Sequence, residues 1–437
     1  MENIQINEKE SAETANESNS FQVDYQSHHK PNKKTVVSLL ASYTLNNIIN
    51  VFVTTFLVSY LYTISENYVL NIGLFYMFNY MSMGIFYFVI SKFIDKTSRV
   101  GFYRVAIIIK FLFILMIIFI GKDVSQYVAL AGILYGFSEA CYWTSYNIMK
   151  NELVSKRIMK KYSAGQLILE KFGSVVIPIV LGKIIDADSF KTSAYIVLTI
   201  VAVEIILSFF IKSKRPENSS FDLKDFNKKL NALGEKKKLV TYSYLISIFY
   251  GFTTIVTPLN TILIMYTFNS NFSLGIITSV FAACAMVLLV ILTTCTKPGK
   301  REFIFPIAAV IPVVAALVEV IFPLKVTAII FNGALVICSA VHSYTFDVAR
   351  NLIIKRLGLY DCIAEYQAEL EGVLEIFRMF SFGIMALVGL IVANFGISQL
   401  LIATKVLLMV FVFAIAIVDM MMLKYEKNLR KHEIYLD

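Results

Sequence analysis

The sequence predicts an all-α polytopic membrane protein with twelve transmembrane helices in two six-helix bundles. Three observations lead to this fold class: the composition, the number of long apolar stretches, and the one-sided placement of positive charge. Of the 437 residues, 57% are hydrophobic and only 16% are charged. Soluble domains carry about 45–50% apolar and about 25% charged residues, so this composition indicates a large lipid-facing surface.

Twelve apolar stretches follow one another along the chain. Each is long enough for one transmembrane helix, which needs about 20 mostly apolar residues. The predicted helices 1 to 12 lie at about 36–63, 68–93, 102–121, 124–148, 164–186, 190–212, 239–267, 272–295, 302–322, 325–348, 368–393 and 398–423. They leave no room for a soluble domain between them.

The positive charges predict the orientation of these helices. Of the 40 Lys and Arg residues, 32 fall in the two tails and the loops near the even-numbered helix ends, and three fall in the odd-numbered loops. Cytoplasmic loops carry such an excess of Lys and Arg. Both termini are therefore expected in the cytoplasm of a multi-pass cell-membrane protein. This topology also accounts for the net charge of +9, so no nucleic-acid partner is expected.

A polar stretch at 213–238 divides six predicted helices from six. A weak internal repeat supports two halves, since LEKF at 169–172 matches LEIF at 374–377. Parallel repeats of six helices are the organisation of one large class of transporters. The predicted parts are a disordered cytoplasmic tail, a first bundle, a cytoplasmic linker, a second bundle and a second tail, at 1–35, 36–212, 213–238, 239–423 and 424–437.

The loop between predicted helices 2 and 3 carries a recognisable motif, SKFIDKTSRVGFYR at 91–104. It resembles the signature of the major facilitator superfamily in that loop, with Asp95, Lys96 and Arg99 matching in type and spacing. The resemblance implies the twelve-helix facilitator fold and a cytoplasmic gate held by these charges. The alternative is that Asp95 and Arg99 mark a helix end in water.

The motif departs from the family pattern at three positions. Serines stand where glycines are usual, and a valine stands where a second basic residue is common, at Ser91, Ser98 and Val100. The facilitator fold implies that helices 1, 4, 7 and 10 line a central cavity. Asp347, near the predicted end of helix 10, is interpreted as an interface or gate residue.

Ionisable groups inside the membrane are costly and tend to serve function. Glu139 falls near the middle of predicted helix 4, and Tyr142, Trp143 and Tyr146 continue its face at helical spacing. Glu139 is therefore a candidate for proton coupling, and the aromatic residues are candidates for substrate contact. Packing as a protonated acid is the alternative for Glu139. His342, inside helix 10, is a candidate proton relay or an interhelical hydrogen-bonding residue.

Predicted helix 11 carries a second set of charges on one face. Glu371, Glu375 and Arg378 recur at helical spacing, so the acid at 375 can pair with the arginine. The set is a candidate for substrate or proton binding, and a local ion pair at a helix crossing is the alternative. Polar stripes on helices 1 and 7 are candidates either for the substrate cavity or for helix packing; their members are Asn46, Asn47, Asn50, Thr254, Thr257 and Asn260.

Four further charges are not assigned to a site. The lysines Lys110, Lys183 and Lys405 are expected to lie close enough to helix ends to reach the membrane interface. Glu204 is deep in predicted helix 6, and the sequence alone suggests no role for it.

These features favour a secondary transporter of a small solute, working by alternating access and coupled to protons. Gly173, Pro178 and Gly182 in helix 5 faintly resemble a facilitator antiporter motif and give a slight preference for export. No GxxxxGK[ST] pattern occurs, so ATP coupling is not expected. No catalytic residues, metal or cofactor are expected, and the chain is expected to act as a monomer among membrane lipids. A non-transporting sensor or assembly factor on a transporter scaffold is the alternative, and a membrane enzyme is less favoured.

Overall fold

A computed structural model describes residues 33–94, 98–154, 156–212, 221–295, 304–338, 341, 357–359, 362–395 and 397–431. In these ranges all regular secondary structure is helical. The helices that correspond to the twelve predicted spans are α1 Lys33–Ile64, α2 Tyr68–Ile94, α3 Arg99–Ile120, α4 Val128–Leu153, α5 Lys156–Ala187, α6 Phe190–Ser208, α7 Gly234–Phe268, α8 Asn271–Cys295, α9 Ile304–Ile321, α10 Lys325–Cys338, α11 Ile363–Val392 and α12 Ile397–Lys431.

The lengths of these helices suit a membrane. Within the described ranges, nine helices are long and apolar enough to cross a bilayer. Helices α4 and α5 have 26 and 32 residues and are more polar. Large apolar side chains on the outer surface, such as Ile307, Val310 and Val314 of α9, are more than half exposed, as a lipid-facing surface requires. The protein is therefore a multi-pass membrane protein, and the count of twelve spans stays a prediction.

The two groups of six helices repeat the same packing. Helix α1 packs on α5 and α6, and α3 packs on α6. In the second group α7 packs on α11 and α12, and α9 packs on α12. These are the same pairs shifted by six helices, so the LEKF and LEIF segments lie on corresponding helices. We call α1–α6 the first half and α7–α12 the second half.

The halves meet through α2 against α11 and α5 against α8. Glycines allow close backbone approach in both pairs. A Cβ on Gly73 of α2 would lie 2.6 Å from the backbone nitrogen of Ala386, and one on Gly275 of α8 would collide with the carbonyl oxygen of Pro178. Both contacts lie near the start of an even-numbered helix, far from the segment between α6 and α7. We call that end of the bundle the opposite face, and the end near the linker the linker face.

Helices α1 and α7 are irregular at corresponding depths. Residues Phe52–Leu57 of α1 form a π-helical segment, and α7 breaks between Thr253 and Val256. Pro258 explains the break, because proline supplies no N–H to the carbonyl four residues earlier. In α1 the Thr54 hydroxyl donates to the Asn50 carbonyl, which competes with regular backbone bonding. Such irregular turns are frequent at functional positions in membrane helices.

The linker contains a docked helix, Leu223–Ala232. Phe226 and Leu230 are buried against the second half beside Tyr366. Asp222 caps the helix and its own N–H donates to Glu365 of α11 at 3.0 Å. The predicted polar stretch therefore includes an amphipathic element that is fixed to the second half.

Candidate substrate and coupling site

Polar side chains deep between the helices retain solvent-accessible surface. Glu170 and Lys171 of α5 lie about 21 Å from the linker-face end of that helix at 1.5 Å per residue, and their side chains are 32% and 23% exposed. The Tyr43 hydroxyl of α1 donates to Glu170 Oε2 at 2.7 Å, and Lys171 pairs with Glu170 at 3.3 Å. Charged groups with partners at this depth indicate a polar cavity rather than a lipid surface.

The first half contains a sealed ion pair. Lys110 Nζ of α3 lies 2.5 Å from Glu139 Oε1 of α4, and the side chains are 1% and 8% exposed. Lys110 also donates to Asn46 Oδ1 of α1. The indole N–H of Trp143 donates to Glu139 Oε2 at 2.8 Å. Glu139 is thus placed in the interior, as the sequence indicated, but both of its oxygens are already engaged.

The interpretation of Lys110 as an interfacial lysine is wrong. Its Cα lies about 16 Å along α3 from Arg99, at 1.5 Å per residue, and its amine points at Glu139 and Asn46. The rings of Tyr142 and Tyr135 lie 5.0 and 5.8 Å from Nζ, where a cation is favoured by the ring faces. The two other lysines agree better with that interpretation: Lys183 is exposed, and Lys405 donates to the Val320 carbonyl at 3.3 Å near a helix end.

The aromatic face predicted on α4 divides into two parts. Tyr142 and Tyr146 are buried, with their rings stacked 5.7 Å apart. Tyr146 also stacks on Tyr43 at 5.3 Å. Trp143 is half-buried and meets Tyr43 edge-on at 6.3 Å. Of these rings, Trp143 keeps the larger exposed surface, while Tyr43, Tyr142 and Tyr146 pack the first half.

The second half contains a more open ion pair on α11. Arg378 lies 2.6 Å from Glu375, with side-chain exposures of 19% and 0%. Arg378 Nε donates to the Thr254 hydroxyl of α7 at 3.2 Å, at the break in that helix. Its guanidinium lies 5.3 Å from the ring centroid of Tyr80, which belongs to α2 of the first half. Glu371 lies two turns nearer the linker face than Arg378 on the same helix.

The polar stripes of α1 and α7 mostly hydrogen-bond within the protein. Asn47 donates to the Glu170 carbonyl at 3.3 Å, and Asn50 accepts from Tyr135 at 2.9 Å. Asn260 donates to Asn332 of α10 at 2.9 Å. Most of these side chains therefore hold helices together. Thr257 is the exception, because its side chain is exposed. Asn46 and Thr254 contact charged groups, since they accept hydrogen bonds from Lys110 and Arg378.

The predicted gate is only partly described. Arg99 begins α3 and is buried, and Ser98 caps that helix by accepting from the Gly101 N–H at 3.2 Å. The other predicted gate and relay residues lie outside the described residues; they are Asp95, Lys96, His342 and Asp347.

Several interior acids were not assigned from the sequence. Glu170 corresponds to Glu375 in the LEKF and LEIF match, so the repeat could have identified it. Asp419 of α12 is fully buried, and the Cys338 thiol donates to it at 3.9 Å. A lone Asp inside the apolar run of α12 was the available signal. Glu204 is fully buried in α6 and accepts from the Ser42 hydroxyl at 2.8 Å.

The packing of two similar six-helix halves, with charges between them, agrees with the protein family whose sequence profile this chain matches. The profile of the Major Facilitator Superfamily matches residues 35–361. The chain belongs to the major facilitator superfamily. This superfamily is made of membrane transporters.

Solved structures of facilitators share the fold. A mutant form of the nucleoside transporter NupG is 13% identical, with a TM-score of 0.67, over 90% of this chain and 100% of that one. A bacterial homologue of the iron transporter ferroportin in an inward-facing state is 12% identical, with a TM-score of 0.66, over 90% of this chain and 98% of that one. No curated protein sequence matches this chain. At such identities the likeness concerns the fold alone.

Proposed function

We propose that this facilitator is a secondary active transporter, and not an enzyme, that moves a small solute across the cytoplasmic membrane by alternating access. Both termini and the linker face lie in the cytoplasm, in agreement with the placement of Lys and Arg. Residues 36–212 and 239–423 act as the two moving bundles of a monomer surrounded by lipid. Transport is coupled to protons, with a slight preference for export.

One observation carries this proposal: the halves are joined at backbone distance at the opposite face, while polar groups between them stay accessible. Asp186, at the end of α5, accepts from the backbone N–H groups of Asn271 and Phe272 at 3.0 and 2.9 Å. It thereby caps α8 of the other half. Asn67, in the turn just before α2, donates to the Gly389 carbonyl of α11 at 2.8 Å. This arrangement supports a state that is closed outside and accessible from the cytoplasm.

The opening of the opposite face would have to separate these contacts. Each is a hydrogen bond or a glycine contact between rigid helices, so it can break without unfolding either half. The same motion would change the contact of Arg378 with Tyr80, because those residues belong to different halves.

The roles of the candidate residues follow from where they lie. Arg378 and Trp143 are the proposed substrate-facing groups, Glu375 is proposed to act on the substrate through its ion pair with Arg378, and Glu139 is the proposed coupling group. Asp95 and Arg99 are proposed to close the cytoplasmic side in the other state.

Substrate discovery and coupling can be tested with purified protein. A thermal-shift screen of solutes identifies the substrate, because a ligand at 100 times its dissociation constant adds about 2.7 kcal/mol of stability. The protein is then placed in proteoliposomes with that solute and an imposed pH gradient. We expect Glu139→Gln to lose gradient-driven accumulation at least about tenfold, while downhill exchange falls less.

The matched control is Glu235→Gln, because Glu235 lies on the linker with its side chain 82% exposed. This variant should accumulate the solute like the wild type. Accumulation at the wild-type rate by Glu139→Gln would overturn the coupling role. An absence of flux for every stabilising ligand, under every gradient, would favour the sensor or assembly factor.

A further inference from the structure

Glu204 is a buried acid of the first half whose hydrogen-bonding neighbours are hydroxyl groups. The residue is fully buried in α6. Its Oε1 accepts from the Ser42 hydroxyl of α1 at 2.8 Å, and Ser42 also contacts the Tyr103 hydroxyl of α3. Among the described residues, its Oε2 has no hydrogen-bond partner. A hydroxyl that donates to Glu204 also stabilises a carboxylate, so it is the complete burial of this group, with one oxygen unbonded, that favours the neutral acid.

The charged and titratable groups around Glu204 come from all the helices that pack near it. Helix α3 supplies Lys110 and Tyr103, and α4 supplies Glu139 and Tyr142. Within the described part of the chain, Lys110 is the cation available to this cluster, and its amine is 2.5 Å from Glu139.

The other cations near α6 have described contacts with groups other than the Glu204 carboxyl; Lys34 of α1, for example, lies over the Phe210 ring. Arg104 of α3 donates to the Ser208 carbonyl at 3.4 Å. Glu170 and Lys171 of α5 pair with each other. Neither Arg104 nor Lys171 is therefore placed to neutralise Glu204.

One cation and two carboxyl groups do not balance if both acids are ionised. An unpaired carboxylate in a low-dielectric interior costs several kcal/mol, and proteins avoid this cost by keeping the group neutral. We propose that Glu204 binds a proton and forms, with Lys110 and Glu139, a three-residue site of zero net charge. This assignment rests on the proposed function in one respect, namely that the release of this proton is coupled to transport through Glu139, the proposed coupling group.

The shared lysine gives the site a mechanism. When water reaches Ser42 and Tyr103, the O–H bond of Glu204 breaks and the proton passes to that water, leaving a carboxylate. Lys110 then moves toward the new carboxylate, since a single amine neutralises one acid at a time. Glu139 loses its partner and takes up water or substrate beside Trp143, on the cavity side. Proton release at α6 is thereby linked to the packing of α3 against α4.

Infrared difference spectroscopy tests the assignment without any substrate. The probe is the proton itself: purified full-length protein in lipid nanodiscs at neutral pH, compared in H₂O and D₂O. The wild type should show the carbonyl band of a buried carboxylic acid, and Glu204→Gln should lose that band. Gln resembles the neutral acid in shape, so this variant should fold. Glu235→Gln, at an exposed site, should keep the band.

Two further variants test the charge balance and the hydrogen bonding of the site. Lys110→Met removes the cation, so Glu139 must also become neutral and a second carboxylic acid band should appear. Ser42→Ala removes the hydroxyl that donates to Glu204 and should move the existing band to higher frequency without loss of intensity. If Glu204→Gln fails to fold, the band shift in Ser42→Ala tests the assignment of the proton to Glu204 by itself. A band unchanged by both Glu204→Gln and Ser42→Ala would overturn the proposal.

The outcomes also separate this proposal from the proposed function. A Glu204 band in a protein that shows no solute flux under any gradient would keep the proton site and remove the transport role. Proton-driven flux without a Glu204 band would keep the transporter and exclude this site. Loss of gradient-driven accumulation in Glu204→Gln, with the band assigned, is the result expected if both are correct.

Discussion

The Lys110–Glu139 pair of the first half and the Glu375–Arg378 pair of the second half differ in how they are held. The first joins two helices, α3 and α4, and both side chains are almost completely buried. The second lies within α11, and its arginine is 19% exposed and reaches α7 and the other half. The comparison is informative because the two halves have the same helix packing.

The difference suggests a division of labour between the halves. A sealed pair beside the proposed neutral acid Glu204 is suited to proton coupling, since water is excluded and charge must balance. An accessible arginine between the halves is suited to a polar or anionic group of a solute, because guanidinium groups bind such groups by paired hydrogen bonds. Buried ion pairs add little stability against apolar replacements, which also favours functional reasons for both.

The largest expected effect is on the sealed pair. Lys110→Met leaves Glu139 buried without a cation, and breaking a buried pair in this way costs about 3–5 kcal/mol. Thermal or chemical unfolding of the purified protein measures the loss. The double variant with Glu139→Gln should recover most of it, because neither charge remains. Equal stability of the single and double variants would mean that the pair is not sealed.

An intermediate effect is expected for the accessible pair. Arg378→Lys keeps the charge but loses the planar group that bonds Glu375 and Thr254 together and stacks on Tyr80. We expect solute flux to fall at least about tenfold, equal to about 1.4 kcal/mol in the barrier, with little change in unfolding. Arg104→Lys, at the linker-face end of α3, is the matched control. A stability loss as large as that of Lys110→Met would contradict the division of labour.

The smallest effects are expected for variants that remove one hydrogen bond from each pair. Trp143→Phe deletes the donor to Glu139, and Thr254→Val deletes the acceptor of Arg378 Nε. The first should destabilise by about 1–3 kcal/mol and the second by less than about 1 kcal/mol, since water can replace the partner only at the accessible site. Unfolding midpoints of the two variants under the same conditions decide this. The reverse order would show that water is excluded more completely from the Glu375–Arg378 pair than from the Lys110–Glu139 pair.

The fold could largely be predicted because its determinants are local. The length of each apolar run and the side of each Lys or Arg are set by the lipid and by topology, whichever helices become neighbours. The predicted helices agree with the structure to within a few residues at most ends, as for 68–93 and Tyr68–Ile94. The larger differences, the early start of α5 at Lys156 and the extension of α12 to Lys431, occur in polar segments, where hydropathy gives no signal.

The candidate site could be predicted only in part. Helical spacing placed Glu375 and Arg378 together, because both lie on one helix and periodicity fixes which residues share a face. Spacing also identified Glu139 as an interior acid. It gave no partner for Glu139, since the pairing with Lys110 depends on which faces of α3 and α4 meet.

The sequence by itself determined that this chain is a membrane-embedded set of helices with two similar halves and interior acids. The tertiary structure alone decided that Lys110 is a partner and not an interfacial lysine, that Glu204 joins the same cluster, and that the halves meet closely at the opposite face. The physical reason is that contacts between helices depend on their rotation and neighbours. These are set by close packing, such as that of Gly275 on Pro178, and not by the hydropathy of any one segment.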